Sequence, residues 1–169
     1  MTRVLIVAAG IAGCVASGAA AQEIVFDTAQ TEVCLAAAED PAGREACIGA
    51  SAKACMEATS DGWTTVGTAT CLSYERDYWD ARLNAAYGAL MESENATDAE
   101  MRELGASEPS RADALREMQR AWIPFRDARC MYERSQWGSG TGGGPAFVSC
   151  AMQVTGQQAL FLEAMENRM

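Results

Sequence analysis

Six cysteines, Cys34, Cys47, Cys55, Cys71, Cys130 and Cys150, constrain this chain more than any other feature, because of what precedes them. Arg3 gives a short positive start, Val4 to Val15 is an almost unbroken apolar run, and Ala19-Ala20-Ala21 supplies a small-x-small cleavage pattern before Gln22. Residues 1–21 therefore read as an export leader, shorter in its apolar run than the ~20 residues a membrane span requires. Cleavage removes Cys14 and leaves an even set of cysteines in an oxidising compartment, which is a disulfide framework. Ile11-Ala12-Gly13-Cys14 also resembles a lipoprotein processing box, and in that case Cys14 would carry a lipid anchor. The alanine-rich site favours ordinary cleavage, so the expected location is periplasmic or secreted, with lipid anchoring through Cys14 as the alternative.

The rest of the chain predicts helices. Alanine is abundant, and few Val, Ile, Thr or Tyr residues alternate as a half-buried strand requires. Thr31 to Glu39 reads as a short helix with Val33, Cys34 and Ala37 on one face, broken at Asp40-Pro41-Ala42-Gly43. Arg44 to Thr59 reads as a second helix, ended by Ser60-Asp61-Gly62. A third, from Thr68 or Thr70 to about Glu94, has Leu72, Trp79, Leu83, Ala86, Tyr87 and Leu90 at helical spacing. Asn95-Ala96-Thr97-Asp98 opens a short separate helix closed by Gly105, and its Asn95-Ala96-Thr97 fits a glycosylation sequon. A fourth long helix from Ser110 to Arg134 turns Leu115, Met118, Trp122, Phe125, Ala128 and Tyr132 inward, with Pro124 expected to kink it. The last runs from Pro145 to Asn167 with Phe147, Ala151, Val154, Phe161 and Met165 inward. The expected fold is all-α: a small disulfide-bonded bundle of two short N-terminal helices in a hairpin and then three longer helices, with no sheet.

This layout orders the cysteines. Cys34 and Cys47 lie on adjoining arms around Pro41 and Gly43, Cys55 and Cys71 flank the 60–67 connection, and Cys130 and Cys150 flank the glycine-rich stretch. Local pairing, 34–47, 55–71 and 130–150, is preferred to any crossed pattern, each bridge contributing roughly 2–4 kcal/mol.

Composition excludes several chemistries. The chain has no His, which removes His-based nucleophile pairs, His-ligated zinc and imidazole acid–base catalysis. Its net charge of −10, which becomes −11 once Arg3 leaves with the leader, argues against nucleic-acid binding. The scattered methionines lack the clustering of a copper site. No cofactor or metal is expected.

Three groups of residues are candidates for function. Gly138-Ser139-Gly140-Thr141-Gly142-Gly143 matches G-x-G-x-x-G, yet it follows a helix rather than a strand and lacks the P-loop lysine, so it reads as a mobile connector. Together with Trp137 and Phe147 it makes a candidate protein-contact surface: Trp137, Gly138, Gly140, Gly142, Gly143 and Phe147. Glu75, Asp77 and Asp80 form an acidic group on the third helix. Asp77 lies about 200° round the helix from Glu75, so only Asp80 could approach a neighbour's face, and a solvated or ion-paired face is preferred to a catalytic carboxylate pair of Glu75 and Asp80. Arg126 and Asp127, with Arg120 and Arg129 nearby, suggest an arginine–carboxylate pair reaching the third helix.

Two segments carry a family resemblance. Tyr78-Trp79-Asp80-Ala81-Arg82-Leu83-Asn84-Ala85-Ala86-Tyr87 resembles the Leu-Asn-x-x-Tyr signature of the LprI-like lysozyme-inhibitor family, through Leu83, Asn84 and Tyr87. Gln119 to Cys130 resembles its Gln-x-x-Trp…Arg-Asp-x-x-Cys segment, through Gln119, Trp122, Arg126 and Asp127. The glycine-rich loop, Cys150 and Thr155 follow in the family's order, so the likeness runs from about Cys55 to Glu163. After the leader (1–21), the chain then divides into an N-terminal α-hairpin extension (22–62) carrying Cys34 and Cys47 and an LprI-like helical domain (63–169), with 22–169 expected to be one compact unit. It also implies a non-enzymatic exported protein that binds and blocks lysozyme. Animal-type lysozymes are strongly basic, which suits an acidic partner. The competing expectation is a non-catalytic scaffolding module of the cell envelope with another protein or cell-wall component as partner.

Overall fold

The computed structural model describes residues 24–168, so the leader and Cys14 lie outside the described residues. Among the described residues there are six α-helices and no strand: α1 (Ala29–Ala37), α2 (Pro41–Ala46), α3 (Ala50–Ala58), α4 (Thr65–Glu103), α5 (Arg111–Ser135) and α6 (Gly143–Glu166). The fold is all-α. The short N-terminal helices number three rather than two, because the helix expected over 44–59 is broken. Gly49 sits between α2 and α3 with φ of 102°, a left-handed conformation open to glycine, and caps the start of α3. Its N–H, freed from the helical ladder, donates to Glu75 of α4 at 2.7 Å.

The 39-residue α4 spans about 58 Å and forms the axis of the bundle. Thr64 caps its start by accepting the Gly67 N–H at 3.1 Å. The expected break at Asn95 does not occur, because the polar side chains there turn back onto the helix's own carbonyls. Asn95 Nδ2 donates to the Met91 carbonyl at 2.6 Å and Thr97 Oγ1 to that of Ser93 at 3.1 Å. The helix instead ends at Gly105, φ 74°, in a Schellman motif: Ala106 N–H reaches the Met101 carbonyl and Gly105 N–H that of Arg102.

α6 lies along α4, α5 packs on both, and α1 to α3 close one end. The main core joins Trp79, Leu83, Ala86 and Leu90 of α4 to Met152, Ala159 and Leu162 of α6, with Leu35 of α1, Ile48 of the turn between α2 and α3, and Ala52 of α3. A side chain such as Leu162, fully enclosed, stabilises the fold by roughly 1.5–3 kcal/mol. Gly156 of α6 lets Ile48 approach closely, since a Cβ there would overlap the isoleucine side chain.

Three disulfides brace this frame. Cys34 pairs with Cys47, Cys55 with Cys71 and Cys130 with Cys150, their Cα atoms 5.6, 5.7 and 5.3 Å apart. Each closes a connection between consecutive helices, and the last two anchor separate small apolar clusters.

Several inward assignments change. On α1 the buried residues are Thr31 and Leu35, whereas Val33 is exposed. On α5 Leu115, Met118 and Trp122 pack on the core, but Phe125, Ala128 and Tyr132 face solvent, because α4 and α6 cover only one side of the helix. Phe161 of α6 is exposed, and the adjacent Leu162 takes its place inside. Pro124 lies on the exposed side of α5, which continues through it as one helix.

Candidate functional site

The end of α5 and the start of α6 build the most distinctive surface. Beyond Ser135 the chain winds through successive tight turns. Trp137 N–H donates to the Arg134 carbonyl, Gly138 N–H to that of Ser135, and Gly140 N–H to that of Trp137 at 2.8 Å. α6 then starts at Gly143, two residues before Pro145. The connector is thus shorter than the whole glycine run. Trp137 is 54% exposed, and its ring lies over Gly142, where a Cβ would overlap it. Gly138 and Gly140 are exposed beside it, while Gly143 is buried under the turn. Phe147 is half-buried against the cluster of Cys130, Ala151 and Val154. The Cys130–Cys150 disulfide ties the two arms together below the tip.

The acidic residues of α4 do not share one environment. Asp77 and Asp80 are exposed, but Glu75 is completely buried, contrary to the expected solvated face. Its oxygens accept from Thr31 Oγ1 (2.9 Å), Gly49 N–H (2.7 Å), Ala52 N–H (2.6 Å) and Trp79 Nε1 (3.1 Å). Four donors substitute for water around a carboxylate that forms no ion pair among the described residues. Glu75 is therefore a structural anchor for α1, α3 and α4, separated from Asp80.

The arginine–carboxylate pair expected from Arg126 to the third helix does not form; α5 meets α4 through Arg111 and Glu94 at 2.8 Å instead, and a second such link joins α4 to α6. Arg82 of α4 meets Glu163 of α6 with Nε–Oε1 at 2.7 Å and Nη2–Oε2 at 2.9 Å, and Arg44 of α2 adds a contact at 3.0 Å. Arg82 also donates to the Tyr78 hydroxyl at 2.7 Å and stacks on the Tyr78 and Trp79 rings. Burial alone lowers its pKa, yet the hydrogen bonds to Glu163 and Tyr78 outweigh that and raise it. Sequence reading missed this pair because its members stand 81 positions apart. Arg126, given that role from sequence, instead pairs with its neighbour Asp127 and lies 5.1 Å from the Trp122 ring centre.

The remaining signature residues lie on α4 and α5 in different surroundings. Leu83 is in the core, and Tyr87 and Trp122 pack against it. Asn84 is exposed and donates to Asp80 Oδ2 at 2.9 Å. Gln119 is buried and accepts from Gln158 Nε2 of α6 at 3.1 Å, joining α5 to α6. Among the described residues no group of three or more Cys, Asp or Glu side chains is placed to hold a metal, and no helix is long and apolar enough to cross a membrane.

The family model described as "Lysozyme inhibitor LprI" matches residues 55–162. The chain is 29% identical over 136 residues to an "uncharacterized 17.7 kDa protein in puhA 5'region" of Rhodobacter capsulatus, which covers 80% of this chain and 83% of that protein. It is 39% identical over 51 residues to an uncharacterized protein of Rhizobium meliloti (strain 1021), covering 30% of this chain and 37% of the relative. No solved structure matches it.

Proposed function

The chain belongs to the LprI lysozyme-inhibitor family, and from that premise we propose that it is an exported, non-enzymatic binding protein that blocks lysozyme through the Trp137 turn. The match over residues 55–162 is the observation that carries the reading. The family is one of inhibitors rather than enzymes, and three disulfides suit an extracytoplasmic compartment. In this proposal residues 1–21 direct export and the working protein begins at Gln22, in the periplasm or outside the cell.

The Trp137 turn is the contact surface in this reading because it offers an exposed indole on a braced projection, the kind of side chain that anchors protein interfaces. The negative charge of the exported chain favours encounter with a basic lysozyme and makes association sensitive to salt. The test is a cell-wall lysis assay with purified residues 22–169 and several lysozyme types at low ionic strength. Inhibition that weakens with added salt is expected, and unimpeded lysis by every lysozyme overturns the proposal.

A further inference from the structure

One cavity shares only Phe147 with the contact surface expected around Trp137. It opens where α4, α5 and α6 meet, encloses about 300 Å³, and has Phe147 at one side. That volume lies at the lower end of the ~300–1,000 Å³ range of small-molecule sites.

Two ionic pairs of the same design line it. Arg76 donates through Nε and Nη2 to Asp77 Oδ1, at 3.0 and 2.6 Å. Arg126 donates in the same way to Asp127 Oδ1, at 2.9 and 2.8 Å. In each pair the guanidinium is balanced by its chain neighbour, while the second carboxylate oxygen and Nη1 make no other hydrogen bond among the described residues. Asp80, held by Asn84, adds a third carboxylate.

Thr155 of α6 supplies an independent sign of a ligand. It lines the cavity and is only 1% exposed, yet its hydroxyl oxygen has no hydrogen-bond partner among the described residues. Buried hydroxyls left without a partner are rare, because desolvation then goes uncompensated.

The lining therefore offers acceptors, donors and one unused hydroxyl with nearly balanced charge. Three carboxylates against two guanidiniums disfavour an anion, and the two arginines disfavour a cation. Hydroxyl groups, which both donate and accept, match this alternation, and Phe147 supplies an apolar surface for a sugar ring's C–H face. We propose that this groove binds an uncharged saccharide unit. The proposal does not depend on lysozyme inhibition.

The test titrates oxidised, ¹⁵N-labelled residues 22–169 with triacetylchitotriose and, separately, maltotriose, reading the Arg76 and Arg126 Nε–Hε signals and the Thr155 amide. Saturable shifts at these positions with at least one saccharide are expected. Asp127→Asn and Thr155→Val should each weaken the affinity about tenfold while leaving the rest of the spectrum unchanged. No saturable shift at millimolar saccharide overturns the proposal, as does undiminished affinity in both variants. Equal shifts with sodium acetate or guanidinium chloride also overturn it, by revealing a site for ions. No lysozyme is present, so the result stands apart from the lysis assay.

Discussion

The carboxylate of Glu75, three turns into α4, accepts the backbone N–H of Ala52, in the first turn of α3, at 2.6 Å. Together with its bond from Gly49, this makes Glu75 a cap supplied from another helix. The glycine's left-handed turn and the buried acid are one device: the first aims two N–H groups at the second.

Glu75→Gln tests that device. All four groups around the carboxylate are donors, and three of them converge on Oε1. An amide oriented to keep those three points its NH₂ at the Ala52 N–H. The variant should lose about 1–3 kcal/mol in urea unfolding at neutral pH with an unchanged denaturant slope. Wild-type stability would show that the four donors do not hold the fold.

Asp98 gives a prediction in pH. It is an α4 residue that accepts from the Ser110 hydroxyl (2.6 Å) and from the Arg111 and Ala112 N–H groups at the start of α5. These bonds, the Ser110 hydroxyl foremost, lower its pKa from the usual 3.8. A depressed acid stabilises the fold above its unfolded-state pKa and loses that contribution as pH falls through the folded-state value. Wild type should therefore exceed Asp98→Asn in urea midpoint near pH 6, and the gap should close on acidification below about pH 4. A gap that stays constant to about pH 2 would contradict the assignment.

The Cys130–Cys150 bridge closes the connection that carries Trp137, its ends 20 positions apart. Replacing both cysteines by alanine should cost about 2–4 kcal/mol, measured by urea unfolding under non-reducing conditions. The bridge also sits in its own apolar cluster with Ala151 and Val154, so part of the loss is packing rather than chain restriction.

For the Trp137 turn, two variants separate exposure of the indole from its position. Trp137→Ala should reduce lysozyme inhibition at least tenfold with folding unchanged, as expected of an anchoring aromatic. Gly142→Ala forces the ring away from its seat and should change tryptophan emission as well as inhibition. Full inhibition by both variants would move the contact surface elsewhere on the molecule.

The helices were legible where one apolar stripe met one neighbour, as along Leu72, Trp79, Leu83 and Leu90 of α4. Glu75 falls in that stripe by spacing, three after Leu72 and four before Trp79. Its charge masked the signal, since only the folded chain shows the four donors that make burial tolerable. The gap between α2 and α3 was hidden for the same reason, because the glycine turn is stabilised by an acid 26 positions away. Phe125 and Tyr132 misled in the opposite direction: α5 is apolar over more of its circumference than the bundle covers. The glycine run and Trp137 marked a connection between helices from composition alone. The seat of the indole over Gly142, the Arg82–Glu163 link and the cavity above Thr155 are products of long-range packing, to which local pattern is blind.

The staple beneath Trp137 has an entropic meaning. A tip whose arms are covalently fixed arrives at a partner already preorganised, so little conformational freedom is surrendered on contact. Severing that one bond would leave the indole in the sequence and remove its readiness. In the proposed contact through Trp137, reduction of this bridge would therefore weaken binding.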